Sequence, residues 1–258
     1  MNEYPAVITT VNHVEPVPRR IRAVLAGETV VDTTRALYVW ESPNFPQYYI
    51  PLGDVRADIL HPEGTKLHTS RGDVVVHALR AGAVQRPHAA KVLEESALAE
   101  LSGTVRFEWS ALDAWFEEDE EVFVHPRSPY TRVDALRSTR RVRVAIDGTV
   151  LGETSAPVLV FETGLPTRYY LNPTEVDFSH LVRSGTVTAC PYKGTTTGYW
   201  SVDAGGHVLS DCAWTYGSPR REVLPIAGLI AFYNEMVDIF LDGRQLPRPT
   251  THVSHPTH

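Results

Sequence analysis

Two long stretches of this 258-residue chain repeat one another without a gap. RRIRAVLAGETVVDTTRALYVWESPNFPQYYIPLGDV begins at Arg19, and RRVRVAIDGTVLGETSAPVLVFETGLPTRYYLNPTEV begins at Arg140. The offset of 121 holds from Arg19 and Arg140 to Val55 and Val176. It sets Gly27 on Gly148, Trp40 on Phe161, Glu41 on Glu162 and Tyr48-Tyr49 on Tyr169-Tyr170. Farther on, LSGTVRFEWSALDAWF from Leu101 answers IAGLIAFYNEMVDIFL from Ile226 at an offset of 125, which sets Phe107 on Phe232, Asp113 on Asp238 and Trp115 on Phe240. A unit of this length occurring twice means one architecture built twice, and the chain is long enough to give each copy its own core. The middles of the copies show no such match: CPYKGTTTGYW and DCAWTYGSPRRE in copy two stand against TSRGDVVVHAL and RPHAAKVLEESALAE in copy one.

The repeated unit reads as β structure. VRVAIDGTVLGET alternates apolar and polar residues around Asp147-Gly148, and VDIFLDGRQL does the same around Asp242-Gly243, a dipeptide that favours tight type I′ hairpins. One helix is expected, in copy one, where Ala89, Val92, Leu93, Ala97 and Leu101 recur at helical spacing between His88 and Leu101. The expected organisation is a mobile arm at 1–18, a first repeat at 19–137, a second at 138–246 and a loose polar tail at 247–258, whose last eight residues carry three histidines.

Composition narrows the function classes. Hydrophobic residues at 43% and charged residues at 21% match globular domains. A net charge of −7 lacks the basic footprint that nucleic-acid backbones require. The longest apolar run, VLPIAGLIAFY from Val223 to Tyr233, is too short for a bilayer, so no membrane partner is expected. No leader pattern opens the chain, which makes the cytoplasm the expected compartment. Two cysteines, Cys190 and Cys212, with no C-x-x-C spacing, point to free thiols and to no structural zinc. His61, His68, His77 and His88 match no helical ligand spacing, so neither a metal nor another cofactor is expected.

With two copies in one chain, each serves as a control for the other. Residues present in both, such as Glu41/Glu162 and the tyrosine pairs, are assigned to the fold; residues present in one are candidates for function. TACPYKGTTTGYW in copy two places Cys190, Tyr192 and Lys193 in one restrained turn and ends in Tyr199 and Trp200. A nearby cation makes a cysteine a better nucleophile, and a lysine can hold an anion or serve as a base when desolvated. Gly194 would admit a ligand to the backbone, while Trp200, Trp214 and Tyr216 could wall an apolar pocket. The plainer readings are that Cys190 is a small buried hydrophobe, that Trp214 and Tyr216 share one strand face in the core, and that Lys193 is exposed. HPRSPYTRVDALR, from His125 to Arg137, offers His125 and Arg127 as an anion clamp, or else forms an ordered linker whose arginines pair with the acidic run Glu117 to Glu121; the second reading is preferred.

FETGLPTRYYL, TACPYKGTTTGYWSV, CAWTYGSPRREVLPIAGLIAFYNEMVDIFLDG and HPRSPYTRVDAL together resemble the family called domain of unknown function 427, in tandem form, from Arg19 to Leu246. The resemblance implies two small, curved, mostly antiparallel β domains, similar to the β-tent folds of methionine sulfoxide reductase B and the cereblon ligand-binding domain. Those relatives generally hold zinc through C-x-x-C pairs, which this chain lacks. The C-P-Y-K-G and A-W-x-Y motifs are intact in copy two alone, and Arg168 in the first motif joins the substrate-side candidates. Neither the glycine-serine loop nor the paired aspartates of nucleotidyl transfer are present. The expectation is a small-molecule enzyme with its pocket in copy two, near the junction of the copies, using Cys190 or Lys193. The alternatives are a non-catalytic binding module with an aromatic cage and an interaction protein without a pocket. The chain is expected as monomer or homodimer.

Overall fold

The structure, a computed structural model, describes residues 10–251, which divide into two compact units, 10–129 and 130–251. The first nine residues of the expected arm and the histidine-bearing end at 252–258 lie outside the described residues. No helix among the described residues is long and apolar enough to cross a membrane.

Copy one contains β1 (Val14–Pro16), β2 (Ile21–Leu25), β3 (Glu28–Thr33), β4 (Leu37–Val39), β5 (Gln47–Pro51), β6 (Leu60–Thr69), β7 (Gly72–Ala81), β8 (Val84–Leu93), β9 (Thr104–Phe107), β10 (Ala114–Glu117) and β11 (Glu120–Val122). They form a seven-stranded sheet, β1-β4-β5-β9-β8-β7-β6, and a four-stranded sheet, β11-β10-β2-β3, with every pairing antiparallel. Copy two contains β12 (Val133–Arg137), β13 (Val142–Ile146), β14 (Thr149–Thr154), β15 (Val158–Glu162), β16 (Arg168–Leu171), β17 (Leu181–Ser184), β18 (Ala189–Cys190), β19 (Gly194–Thr195), β20 (Gly198–Ala204), β21 (His207–Thr215), β22 (Ile230–Phe232), β23 (Asp238–Leu241) and β24 (Arg244–Gln245). Its sheets, β12-β15-β16-β22-β21-β20-β17 and β14-β13-β23-β24, repeat the topology of copy one strand for strand. The addition is the short β18-β19 ladder that carries the Cys190 turn.

The hairpins form as the sequence requires. Asp147 and Gly148 have φ of 44° and 84°, and Asp242 and Gly243 have 52° and 82°, the paired left-handed conformations of a type I′ turn. Apolar positions facing the space between the sheets supply the cores: Ile21, Leu25, Ile50 and Val105 in copy one, and Val142, Leu151, Leu171 and Ile230 in copy two.

Strand pairing aligns the middles that the sequence leaves unmatched. Val75 pairs with Val92 and Gly198 with Thr215; Ala81 pairs with Val84 and Ala204 with His207. A constant offset of 123 thus relates β7-β8 to β20-β21, including a bulge at His88 and Asp211, whose φ values are 52° and 48°. In this register Trp214 corresponds to Lys91, Tyr216 to Leu93 and Tyr199 to Val76.

Four expectations need correction. The helix expected from His88 to Leu101 is the inner strand β8 followed by a single 3-10 turn at Ala99–Leu101. The bulge at His88 puts the adjacent Ala89 and Ala90 both out of solvent, and this break in two-residue alternation imitates helical spacing. The offset of 125 holds through Phe107 and Phe232 but not beyond: Phe116 opposes Arg22 as Phe240 opposes Arg143, an offset of 124. Each arginine lies over its phenylalanine, at 5.3 and 4.1 Å. Trp115 therefore corresponds to Ile239, and Glu117 to Leu241, because a one-residue slip turns a strand over. Finally, the repeat begins earlier than Arg19 and Ser138. Val14 pairs with Val39 and Ala135 with Val160, so β1 belongs to copy one and β12 to copy two. The tail expected at 247 is also packed through Thr251, with Arg248 paired to Asp238.

β12 covers one edge of β15, and its Val133 and Ala135 pack on the buried Val158 and Val160. A fragment starting at Tyr130 is expected to unfold cooperatively in urea. A fragment starting at Ser138 should show a clearly lower midpoint, and equal midpoints would remove β12 from the domain.

Candidate functional site

The turn from Cys190 to Gly194 is tied down from three directions. Cys190 pairs with Gly194 across β18-β19. The amide of Arg220 donates to the Lys193 carbonyl at 3.0 Å, and Thr196 donates its amide to the Thr188 carbonyl at 2.9 Å. Gly194 has φ of 101°, a conformation that side chains resist, and its α-carbon backs onto the Ser218–Arg220 segment. Asp211 anchors the approach to the turn by accepting from Ser184 Oγ at 2.5 Å and Thr186 Oγ1 at 2.7 Å.

Lys193 is neither exposed nor available as a base. Its Nζ is ion-paired with Glu162 Oε2, and the two side chains are 13% and 9% exposed. Burial opposes the charged ammonium, but Glu162, with smaller contributions from Cys190 and Tyr170, outweighs it and raises the lysine pKa. Lys193 is therefore a fixed positive charge. Tyr170 adjoins the pair and accepts a hydrogen bond from Trp214 Nε1 at 3.1 Å. Burial pushes the Tyr170 hydroxyl up to about 12, with Lys193 opposing.

Copy one builds the same device with another cation. Tyr49 donates to Glu41 Oε1 at 2.7 Å, Arg71 Nε donates to the Tyr49 hydroxyl at 3.0 Å, and Arg71 lies 3.6 Å from Glu41. An acid paired with a cation is thus common to both copies, and Glu41 also lies 3.5 Å from Arg106. What differs is the surrounding: where copy two places Trp214 and Tyr233, with ring centroids 4.4 Å apart, copy one places Lys91 and Glu108, paired at 2.9 Å.

The remaining sequence candidates separate into groups. Tyr199, Trp214 and Tyr216 are buried in one cluster with Tyr170, and Tyr199 hydrogen-bonds Thr188 at 3.1 Å and Tyr233 at 3.3 Å. Tyr233 was not singled out by the sequence, although the residue aligned with it in copy one, Glu108, differs and offered a signal. Trp200 alternates to the opposite face of β20, packs edge-on against Phe178, and does not join this cluster. Tyr192, beside Lys193, is half-buried. Arg168 is buried against Glu235, with contacts of 2.6 and 2.8 Å, and its guanidinium lies over Trp214 and Tyr233 at 5.8 and 5.3 Å. His125 and Arg127 are engaged within copy one: His125 stacks on Phe45 at 3.8 Å, and Arg127 pairs with the buried Glu117 at 2.8 Å. The preferred linker reading fits that pairing. His68 and His88 bond Asp73 and Glu63, and among the described residues no group of three or more His, Cys, Asp or Glu could hold a metal.

Two groups at the turn stand apart. Cys190 is a half-buried free thiol, whereas Cys212 is fully buried and its thiol is pushed up to about 12 by burial. Tyr216 is 4% exposed and packs in one cluster with Tyr170, Tyr199 and Trp214. Cys190, Tyr170, Tyr199 and Glu162 are its charged or polar neighbours, and with burial they hold its pKa far above that of a free tyrosine.

These observations have measurable consequences. Lys193→Ala leaves Glu162 buried without its cation and should cost about 3–5 kcal/mol of stability in urea titration, while Lys193→Met with Glu162→Leu should recover most of it. Tyr170 keeps its proton up to about pH 12 when folded, whereas an unfolded tyrosine loses it near about 10. Its contribution is therefore complete below about pH 10 and declines as pH rises toward 12. The urea midpoint should fall between pH 9 and 11, and Tyr170→Phe should flatten that fall.

The model of one family, described as a domain of unknown function numbered 427, matches residues 13–118 and 134–243. No curated protein matches the chain. The matched segments start 121 residues apart, the offset carried by β1 and β12, and they cover most of the chain. The protein belongs to the domain of unknown function 427 family and holds two copies of that domain in tandem.

Proposed function

We propose that copy two binds a small molecule at the Cys190 turn and acts on it through the Cys190 thiol. The observation that carries this reading is the half-buried free thiol of Cys190, held in a fixed turn next to Tyr216 and the Lys193–Glu162 pair. Cys190 supplies the nucleophile, and the Lys193–Glu162 ion pair fixes the turn that presents it. The substrate class that fits is a small molecule with an electrophilic carbon next to an oxygen. Cys190 Sγ attacks the carbon, and the Tyr216 hydroxyl donates to the oxygen as negative charge develops on it. No cofactor is required for such a step.

The binding-module alternative is weaker, because Arg168 already covers the faces of Trp214 and Tyr233 that a cationic ligand would need.

Intact-mass measurement with carbonyl-bearing electrophilic fragments tests the proposal. Cys190 should label in the native protein while Cys212 stays protected until unfolding. Tyr216→Phe should slow labelling of Cys190 about two- to tenfold, the value of one hydrogen bond. Equal protection of both cysteines, or an unchanged rate in a folded Tyr216→Phe protein, would refute it.

A further inference from the structure

Copy two contains a cavity of about 230 Å³ that is separate from the Cys190 turn. Tyr169, Val237, Ile239, Leu241 and Leu246 form its apolar wall. The reason for the space is visible in copy one. Tyr48, the counterpart of Tyr169, is packed there against Trp115 at 5.6 Å, Trp115 stacks on Trp109 at 5.2 Å, and the Tyr48 hydroxyl donates to Glu117 at 2.7 Å. By strand register Trp115 becomes Ile239 and Glu117 becomes Leu241 in copy two. A bulky ring and a carboxylate have been replaced by two aliphatic side chains, with the neighbouring tyrosine retained.

The polar part of the wall is fixed and neutral. Asn234 Nδ2 donates to the Thr167 carbonyl at 2.8 Å, and Asn234 Oδ1 accepts from Arg168 at 3.2 Å, so the amide is engaged on both sides. The nearest charges, Arg168 and Glu235, neutralise each other. Residues 246–251 close the outer side. The Leu246 amide donates to the Ile239 carbonyl at 2.8 Å, Arg248 bonds Asp238 at 3.0 Å, and Thr251 Oγ1 donates to Glu235 Oε1 at 2.8 Å. Between Leu246 and Arg248, Pro247 lines the cavity, as does Pro249.

We infer that this cavity is a binding site for a small uncharged ring compound of monocyclic size. A protein cavity of about 150 Å³ lined by aliphatic and aromatic residues takes up benzene, so the volume here admits a substituted ring. The wall offers no unpaired charge to receive an ion, which excludes carboxylates and ammonium compounds of the same size. The anchored segment at 246–251 borders the cavity, so its anchoring tunes the rate of exchange.

The test is methyl NMR of the full chain titrated with toluene, phenol and benzoate. Toluene and phenol should produce saturable shifts at the Ile239, Leu241 and Leu246 methyls in the low-millimolar range, and benzoate should not. Ile239→Trp, which restores the copy-one residue, should abolish those shifts, and Leu246→Trp provides a second filling variant should the first not fold. Arg248→Met should speed exchange. Cys190→Ser should leave all of this unchanged, which separates failure here from failure at the thiol. Methyls unmoved by toluene up to its solubility limit, equal response to benzoate, or shifts that persist in a folded filling variant would overturn the inference.

Discussion

A carboxylate at or just past the end of the fourth strand of each copy, half-buried at Glu41 and nearly buried at Glu162, is met by a cation that the local architecture provides. Glu41 and Glu162 stand at equivalent positions, each close to a buried tyrosine, and an unpaired charge there would cost several kcal/mol. Copy one answers with Arg71 and copy two with Lys193, each delivered by a turn that ends in a glycine with positive φ. Fixing that turn in copy two brings the β18-β19 ladder into place and with it Cys190. The thiol thus owes its position to an electrostatic requirement that both domains share, while its surroundings belong to one of them.

Divergence between the copies follows a simple pattern. Frame residues keep their partners: the arginines over Phe116 and Phe240, the hairpin turns, the acid with its cation. Interior surfaces change character together. Lys91 and Glu108 form a partly exposed ion pair where the Trp214 and Tyr233 rings meet at a tilt, and a Trp115–Glu117 wall becomes an Ile239–Leu241 wall. Such coordinated replacement is expected of close-packed interiors, where one altered volume or charge obliges its neighbour to change.

Much of the fold was legible because the repeat and the Asp-Gly hairpins report directly on backbone geometry. The limits have physical causes. Differences in chain length before β7 and β20 and after β8 and β21 change the offset from 121 to 123 and then to 125, so the 123-residue register of the middles is apparent only from pairing. The bulge at His88 disguised β8 as a helix. Of the site, the Cys190 turn and the Trp214 and Tyr216 motif could be located, but not their environment. That Lys193 is buried on Glu162 could not be read from spacing, since the two lie 31 residues apart on different strands. Trp200 was grouped with Trp214 and Tyr216 as one wall, yet on β20 it faces the opposite way from Tyr199, which joins them.

The outer strand β6 of copy one has a further consequence. It is ten residues long and lies at the end of its sheet, where exposed amides and carbonyls could recruit a strand from another molecule. Pro62 supplies no amide, Gly64 takes a φ of 76°, and the pairing register breaks between Pro62 and Lys66. With Glu63 and Lys66 bringing opposite charges to the same stretch, the border is bent, interrupted and hydrated, and a growing stack of sheets finds no straight template there. A motif that looks like an irregular loop in the sequence, HPEGTK, therefore protects colloidal solubility: it allows the widest sheet of this domain to end in water.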